Sequence, residues 1–226
     1  GLAPGKAFRH SPEFRTVFGA DEVLHVLSGT MLLANPETGE VERVESGGNI
    51  FFRADTWHHA FAHGPEPLRV LEIFAPPPSA GTSGSYSRTR PYLEQATYVD
   101  DRLLGRLPGA DREGRTLHPI HADTVRHRLD GDALLGLLAS TEHVTVASLS
   151  LGPGGASSEH GHGGDEILYV RDGVLHVRAW QDDAAFTFEV APGDAVYLPL
   201  GARHEYRNYG GSTVEAILGV APSFLP

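Results

Sequence analysis

Apolar and polar residues alternate along much of this chain in short runs. That two-residue period belongs to half-buried strands, not to helices. Val144-Thr145-Val146-Ala147-Ser148-Leu149-Ser150-Leu151 alternates and is rich in β-branched residues, which predicts a strand. Val174 to Trp180 sets an apolar series against His176, Arg178 and Trp180. Asp182-Asp183-Ala184 then turns the chain into Phe186–Val190, and Val214–Val220 reads as a closing strand ended by Pro222. Earlier, Met31-Leu32-Leu33, the turn Asn35-Pro36-Glu37-Thr38-Gly39 and the alternating Glu40–Val44 predict a hairpin over 30–47. Leu68–Phe74 predicts one more strand, followed by a Pro-, Gly- and Ser-rich linker over 75–95. The pattern fades over 96–142. Val99–Gly105 fits a short helical turn, and Asp132–Ala139 fits either a short helix or a buried strand.

The strands repeat. Asp21-Glu22-Val23-Leu24-His25-Val26-Leu27-Ser28-Gly29 aligns with Asp165-Glu166-Ile167-Leu168-Tyr169-Val170-Arg171-Asp172-Gly173, an offset of 166 − 22 = 144. Gly48 to His59 and Gly193 to His204 span the same length at an offset of 204 − 59 = 145. The chain is two copies of one β unit.

The second copy holds a candidate metal site. His160 and His162 lie two apart and point to one side of an extended chain. Glu166 follows after Gly163-Gly164, a bend that can re-aim the carboxylate. His204 arrives from a later strand after the turn Pro199-Leu200-Gly201. Imidazoles with one carboxylate and no sulfur suit iron, manganese, nickel or zinc. On a six-coordinate ion they leave two positions open.

Two spacings carry a resemblance. G-x5-H-x-H-x3-E-x6-G is met by Gly154, His160, His162, Glu166 and Gly173, and G-x5-P-x-G-x2-H-x3-N by Gly193, Pro199, Gly201, His204 and Asn208. Together they resemble the two motifs of the cupin superfamily, and the duplication resembles its bicupins. The resemblance implies an all-β fold of two tandem cupin barrels (double-stranded β-helix, or jelly roll), with one divalent metal per chain held by His160, His162, Glu166 and His204. It also implies an enzyme, since cupins include dioxygenases, decarboxylases, lyases and isomerases. The expected activity is an Fe(II) dioxygenase acting on a small phenolic or carboxylic substrate. An isomerase or decarboxylase using Mn, Ni or Zn, and a non-catalytic metabolite- or sugar-binding cupin, are the alternatives. In such an enzyme Glu166 is a candidate base, and strand parity puts Tyr206 on the face of His204 as a candidate acid or hydrogen-bond donor. Arg178 is a candidate carboxylate anchor only if it points inward.

The first copy is degenerate. Spacing puts Thr16 and Phe18 where its paired histidines belong, leaving Glu22 and His59, so this barrel is expected to be metal-free. Phe18, Phe51, Phe52, Trp57 and Phe61 are expected to fill its interior, and His10, His58 and His63 offer a weak substitute cluster. His118, His121 and His127 read as surface or loop residues. The expected boundaries are an N-terminal barrel over 1–75, incomplete at its start, a linker and lead-in over 76–142, and a metal-binding barrel over 143–226. Strand exchange makes a homodimer plausible by resemblance.

Composition narrows the partners. A net charge of −11 argues against nucleic acid and anionic membranes. The absence of cysteine excludes a thiolate metal site and fits a reducing, cytoplasmic setting. No apolar run approaches the ~20 residues of a membrane helix.

Overall fold

The computed structural model describes residues 1–9, 16–36, 38–76, 87–89, 115–182 and 184–226. Most of the expected linker, the expected helical turn at Val99–Gly105 and His10 lie outside the described residues. The side chains of Thr16 and Phe18 lie outside them as well. The chain divides into two compact units, Gly1–Ala122 and Asp123–Pro226. Among the described residues no helix is long and apolar enough to cross a membrane.

The first unit contains β1 (Ala7–Arg9), β2 (Thr16–Phe18), β3 (Asp21–Ser28), β4 (Thr30–Asn35), β5 (Glu40–Glu45), β6 (Asn49–Phe52), β7 (His59–His63), β8 (Arg69–Ala75), β9 (Ser87–Thr89) and β10 (His118–Ile120). They form sheets of order β1-β7-β4-β5 and β10-β6-β3-β8, with β2 paired to β9. The inner faces meet in a core that includes Val26, Met31, Leu33, Ile50, Phe52 and Leu117. The 30–47 hairpin is β4–β5. Phe52 is in this core as expected; Trp57 and Phe61 are buried outside it, Phe61 on the face of β7 opposite the core residues Ala60 and Ala62. Phe51 is not an interior residue: the two-residue period turns it away from Ile50 and Phe52, and it stacks on His118 at 6.1 Å.

The second unit contains β11 (Arg126–Asp130), β12 (Ala133–Ser140), β13 (Thr145–Leu151), β14 (Asp165–Asp172), β15 (Leu175–Gln181), β16 (Ala184–Val190), β17 (Ala195–Leu198), β18 (His204–Arg207) and β19 (Val214–Ala221). A six-stranded sheet, β11-β12-β13-β19-β14-β17, and a three-stranded sheet, β16-β15-β18, contribute to one apolar core. Leu149, Leu168 and Val220 are fully buried there, each stabilising by about 1.5–3 kcal/mol. Two of these strands precede residue 143, where the sequence reading began the second barrel. Asp132–Ala139 is strand β12, because β11 and β13 flank it on both edges. Within the same expected lead-in, β10 pairs with β6 of the first unit.

The repeat extends to irregularities. β3 slips against β8 between Val26 and Ser28, and β14 slips against β19 between Val170 and Asp172. In both copies the slip falls just before the glycine that turns the chain, Gly29 and Gly173, each with positive φ.

Candidate metal centre

Four ligand atoms from His160, His162, Glu166 and His204 lie within 4.8 Å of one another. Among the described residues this is the one group of three or more such side chains so placed. His160 is held in an extended segment that exchanges two backbone hydrogen bonds with His204, at 2.9 and 2.8 Å. The chain then bends at Gly163-Gly164. There is no room for a side chain there: a Cβ on Gly164 would sit 2.3 Å from the Ala221 carbonyl oxygen. Glu166 starts the inward stripe of β14, with Leu168 and Val170 as an apolar wall beyond it. The approach to His204 is pinned at both ends. Leu200 N donates to Asp165 Oδ1 at 2.9 Å, and Gly201 N, in a residue with φ of 71°, donates to His162 O at 3.0 Å.

Each imidazole is oriented through Nδ1. That nitrogen pairs with a backbone carbonyl in every case: Ser158 O at 2.8 Å for His160, Phe224 O at 2.7 Å for His162 and Ala202 O at 2.8 Å for His204. Carbonyls only accept, so Nδ1 carries the proton and Nε2 keeps a lone pair. The Nε2 atoms of His162 and His204 both lie 3.2 Å from Oε2 of Glu166. Oε2 is buried and has no hydrogen-bond partner. Tyr206, itself buried, donates its hydroxyl proton to the other oxygen, Oε1.

Oε2 and the two Nε2 atoms are thus mutually repelling lone pairs in a buried pocket. Such a cluster is stable only with positive charge at its centre. Donors bound at about 2.1 Å to one octahedral ion lie about 3 Å apart at right angles, close to the 3.2 Å from Oε2 to the Nε2 atoms of His162 and His204. The donor set therefore fits a divalent ion. Without an ion a proton meets the same demand. Burial pushes the His162 pKa down, but the Glu166 carboxylate more than offsets it and leaves that pKa raised. Burial pushes Glu166 up, yet the imidazoles of His162 and His204, which attract the carboxylate when protonated, and the Tyr206 hydroxyl bring it down to about 2. His160 is lowered, first by burial and then by the neighbouring His204. Burial and the Glu166 carboxylate push Tyr206 well above the usual phenol range, so it stays protonated.

Tyr206 reaches the site by the strand parity read from the sequence. Asn208, a fixed motif position, is a clamp outside the site: its side-chain amide donates to Leu151 O at 2.9 Å and Ser212 O at 2.8 Å. Arg178 does not reach the cavity. Leu175, Val177 and Ala179 take the inner face of β15, so Arg178 points out, 3.3 Å from Glu205 and stacked on Trp180. In the first unit, Glu22 is buried with His58 Nε2 3.9 Å away, while His59 packs against Trp57.

Three residues of the second unit were not picked out from the sequence. Asp130 Oδ2 lies 3.4 Å from His160 Nδ1, Arg128 lines the same cavity, and Phe224 packs on the His162 ring at 4.5 Å. Arg128 and Asp130 share one face of β11, two residues apart.

The model for the cupin domain matches residues 18–74 and 148–220, one stretch in each unit. The chain belongs to the cupin family. Two matched domains make it a bicupin. Solved structures agree on the fold of this bicupin. A serine-to-alanine variant of Bacillus subtilis oxalate decarboxylase aligns with a TM-score of 0.65 at 15% identity, covering 100% of this chain and 68% of that one. Lactobacillus farciminis oxalate decarboxylase in its formate complex gives 0.66 at 15%, covering 99% and 76%. A third, addressing the Mn(II) centres of the Bacillus subtilis enzyme, gives 0.68 at 15%, covering 97% and 66%. At such identity the likeness is one of fold. No curated protein matches the chain significantly.

Proposed function

We propose that this bicupin is a metal-dependent enzyme acting on a small organic substrate in its second barrel. His160, His162 and His204 ligate one divalent ion through Nε2, and Glu166 ligates it through Oε2. The observation that carries the reading is the buried Oε2, without a hydrogen-bond partner and facing two imidazole lone pairs at 3.2 Å. A bound ion supplies Lewis-acid stabilisation of negative charge on the substrate and, as Fe(II), the one-electron chemistry that dioxygen requires. The protein orients the three rings through backbone carbonyls. Tyr206 holds Glu166 by Oε1, which fixes Oε2 as the ligating atom. Leu149, Leu218 and Phe224 line the cavity with apolar surface and limit water. Among the described residues Asp130 supplies the one side-chain carboxylate that lines this cavity, and it is placed to accept a substrate proton.

The preferred reaction is dioxygenation with Fe(II). A non-oxidative decarboxylation with Mn(II) is the second reading, favoured by the end-to-end fold match to oxalate decarboxylases. Iron- and manganese-loaded protein, assayed for oxygen uptake and carbon dioxide release on a panel of phenols and carboxylic acids, separates them. Oxygen consumption stoichiometric with product supports the first. Carbon dioxide release without oxygen consumption replaces it with the second.

A further inference from the structure

Two cavities of the second unit abut at one partition. The inner, about 140 Å³, is lined by His160, His162, Tyr206, Asp130 and Arg128 among others. The outer, about 370 Å³, is lined by Arg126, His127, Leu137, Ala147 and Pro222 among others. Arg128, Leu135, Phe224 and Leu225 belong to both walls. Organic-ligand pockets typically occupy ~300–1,000 Å³. The inner cavity alone falls short of that range, and the two together lie within it.

Charge at the partition is specific. Three of the six arginines of the second unit are paired: Arg178 and Arg207 with Glu205, and Arg203 with Glu159. Arg128 makes no ion pair among the described residues. Its guanidinium lies 6.0 Å from the Phe224 ring, at the boundary between the cavities. Such a group, exposed at the mouth of the inner cavity and unpaired on a chain of net charge −11, is an open anion partner.

From these observations we infer that the substrate is a monocarboxylate with an apolar body. Its carboxylate lies between the metal centre and Arg128, and its body lies in the outer cavity against Leu135, Leu137 and Phe224. This rests on the metal reading above. In the inner cavity, where Arg126 of the outer wall does not reach, a divalent ion and Arg128 bring three positive charges, against one negative charge each on Glu166 and Asp130. The surplus of one matches a monoanion. A small dianion would be overcharged in the inner cavity and would leave the apolar patch of Leu135, Leu137 and Phe224 in the outer wall uncovered.

The test uses metal-loaded protein and reads binding by titration calorimetry, with ion content measured on every sample. Benzoate is the probe, with benzamide as its neutral counterpart, oxalate as the small dianion and acetate as the bodiless monoanion. Wild-type protein should bind benzoate at least about 10-fold more tightly than benzamide or oxalate. Arg128→Gln should weaken benzoate by about 10-fold or more at unchanged ion content, and Arg128→Lys should weaken it less. Leu137→Trp should weaken benzoate and spare acetate, because Leu137 lines the outer cavity alone. Equal benzoate affinity in wild type and Arg128→Gln overturns the inference, as does tighter binding of oxalate. Ion content reports on the metal reading separately: with the ion present, a failure of these contrasts falls on the Arg128 assignment alone.

Discussion

Tyr206 donates to Oε1 of Glu166 and so leaves Oε2 as the atom that meets His162 and His204. One hydroxyl on β18 thereby decides which oxygen of a carboxylate on β14 faces the metal centre. Tyr206→Phe removes that hydroxyl and little else. A buried acceptor left without its donor costs about 1–3 kcal/mol. Loss of a group that orients a ligand lowers metal affinity by about 10–100-fold. Chelator competition and thermal unfolding on the variant check both numbers, and unchanged affinity would remove Tyr206 from its positioning role.

Proton and ion compete for the same lone pairs. In the ion-free protein His162 has a raised pKa, so the stability it contributes is present below the ordinary imidazole pKa and lost as pH rises through the raised one. Glu166 is depressed to about 2, so its contribution is present above the ordinary carboxylate range and lost as pH falls through about 2. Metal must displace the His162 proton. Affinity should therefore fall by about tenfold per pH unit once pH drops below the raised His162 value. The thermal shift on adding metal should be larger at about pH 8 than at about pH 6. A pH-independent affinity across that window would contradict the protonation scheme.

The bend before Glu166 has no room for a side chain. Gly164→Ala would push a methyl into the Ala221 carbonyl at 2.3 Å, a backbone atom that cannot swing aside. Such overpacking costs about 1–3 kcal/mol, and it displaces β14 against β19 where Glu166 is held. Gly152→Ala is the matched control, with nothing within 4 Å of the added carbon. Denaturant unfolding of the pair should show a loss for Gly164→Ala and near-neutrality for Gly152→Ala.

The site was legible where the chain obeys a short period. Glu166, Leu168 and Val170 alternate inward, and His204 and Tyr206 share a face, so parity alone placed them. The 144-residue offset carried even the slip before Gly29 and Gly173. Arg178 was ambiguous because the alternation of β15 fits either face. What resolves it is the register of Arg178 opposite Glu205, a pairing between strands that no local window contains. Arg128 and Asp130 were missed because β11 has no apolar alternation to announce it: its residues are charged or exposed, and it forms a strand by pairing with β12. Phe224 orients His162 Nδ1 through its backbone carbonyl, which any residue supplies, so its identity carried no signal for that hydrogen bond.

The most direct test is ion content per chain in three proteins, by elemental analysis after identical metal loading and desalting. About one ion per chain is expected in wild type and in His59→Ala, and a strongly reduced content in His160→Ala. Wild-type content in His160→Ala, or a loss confined to His59→Ala, would contradict the assignment of the metal to the second barrel.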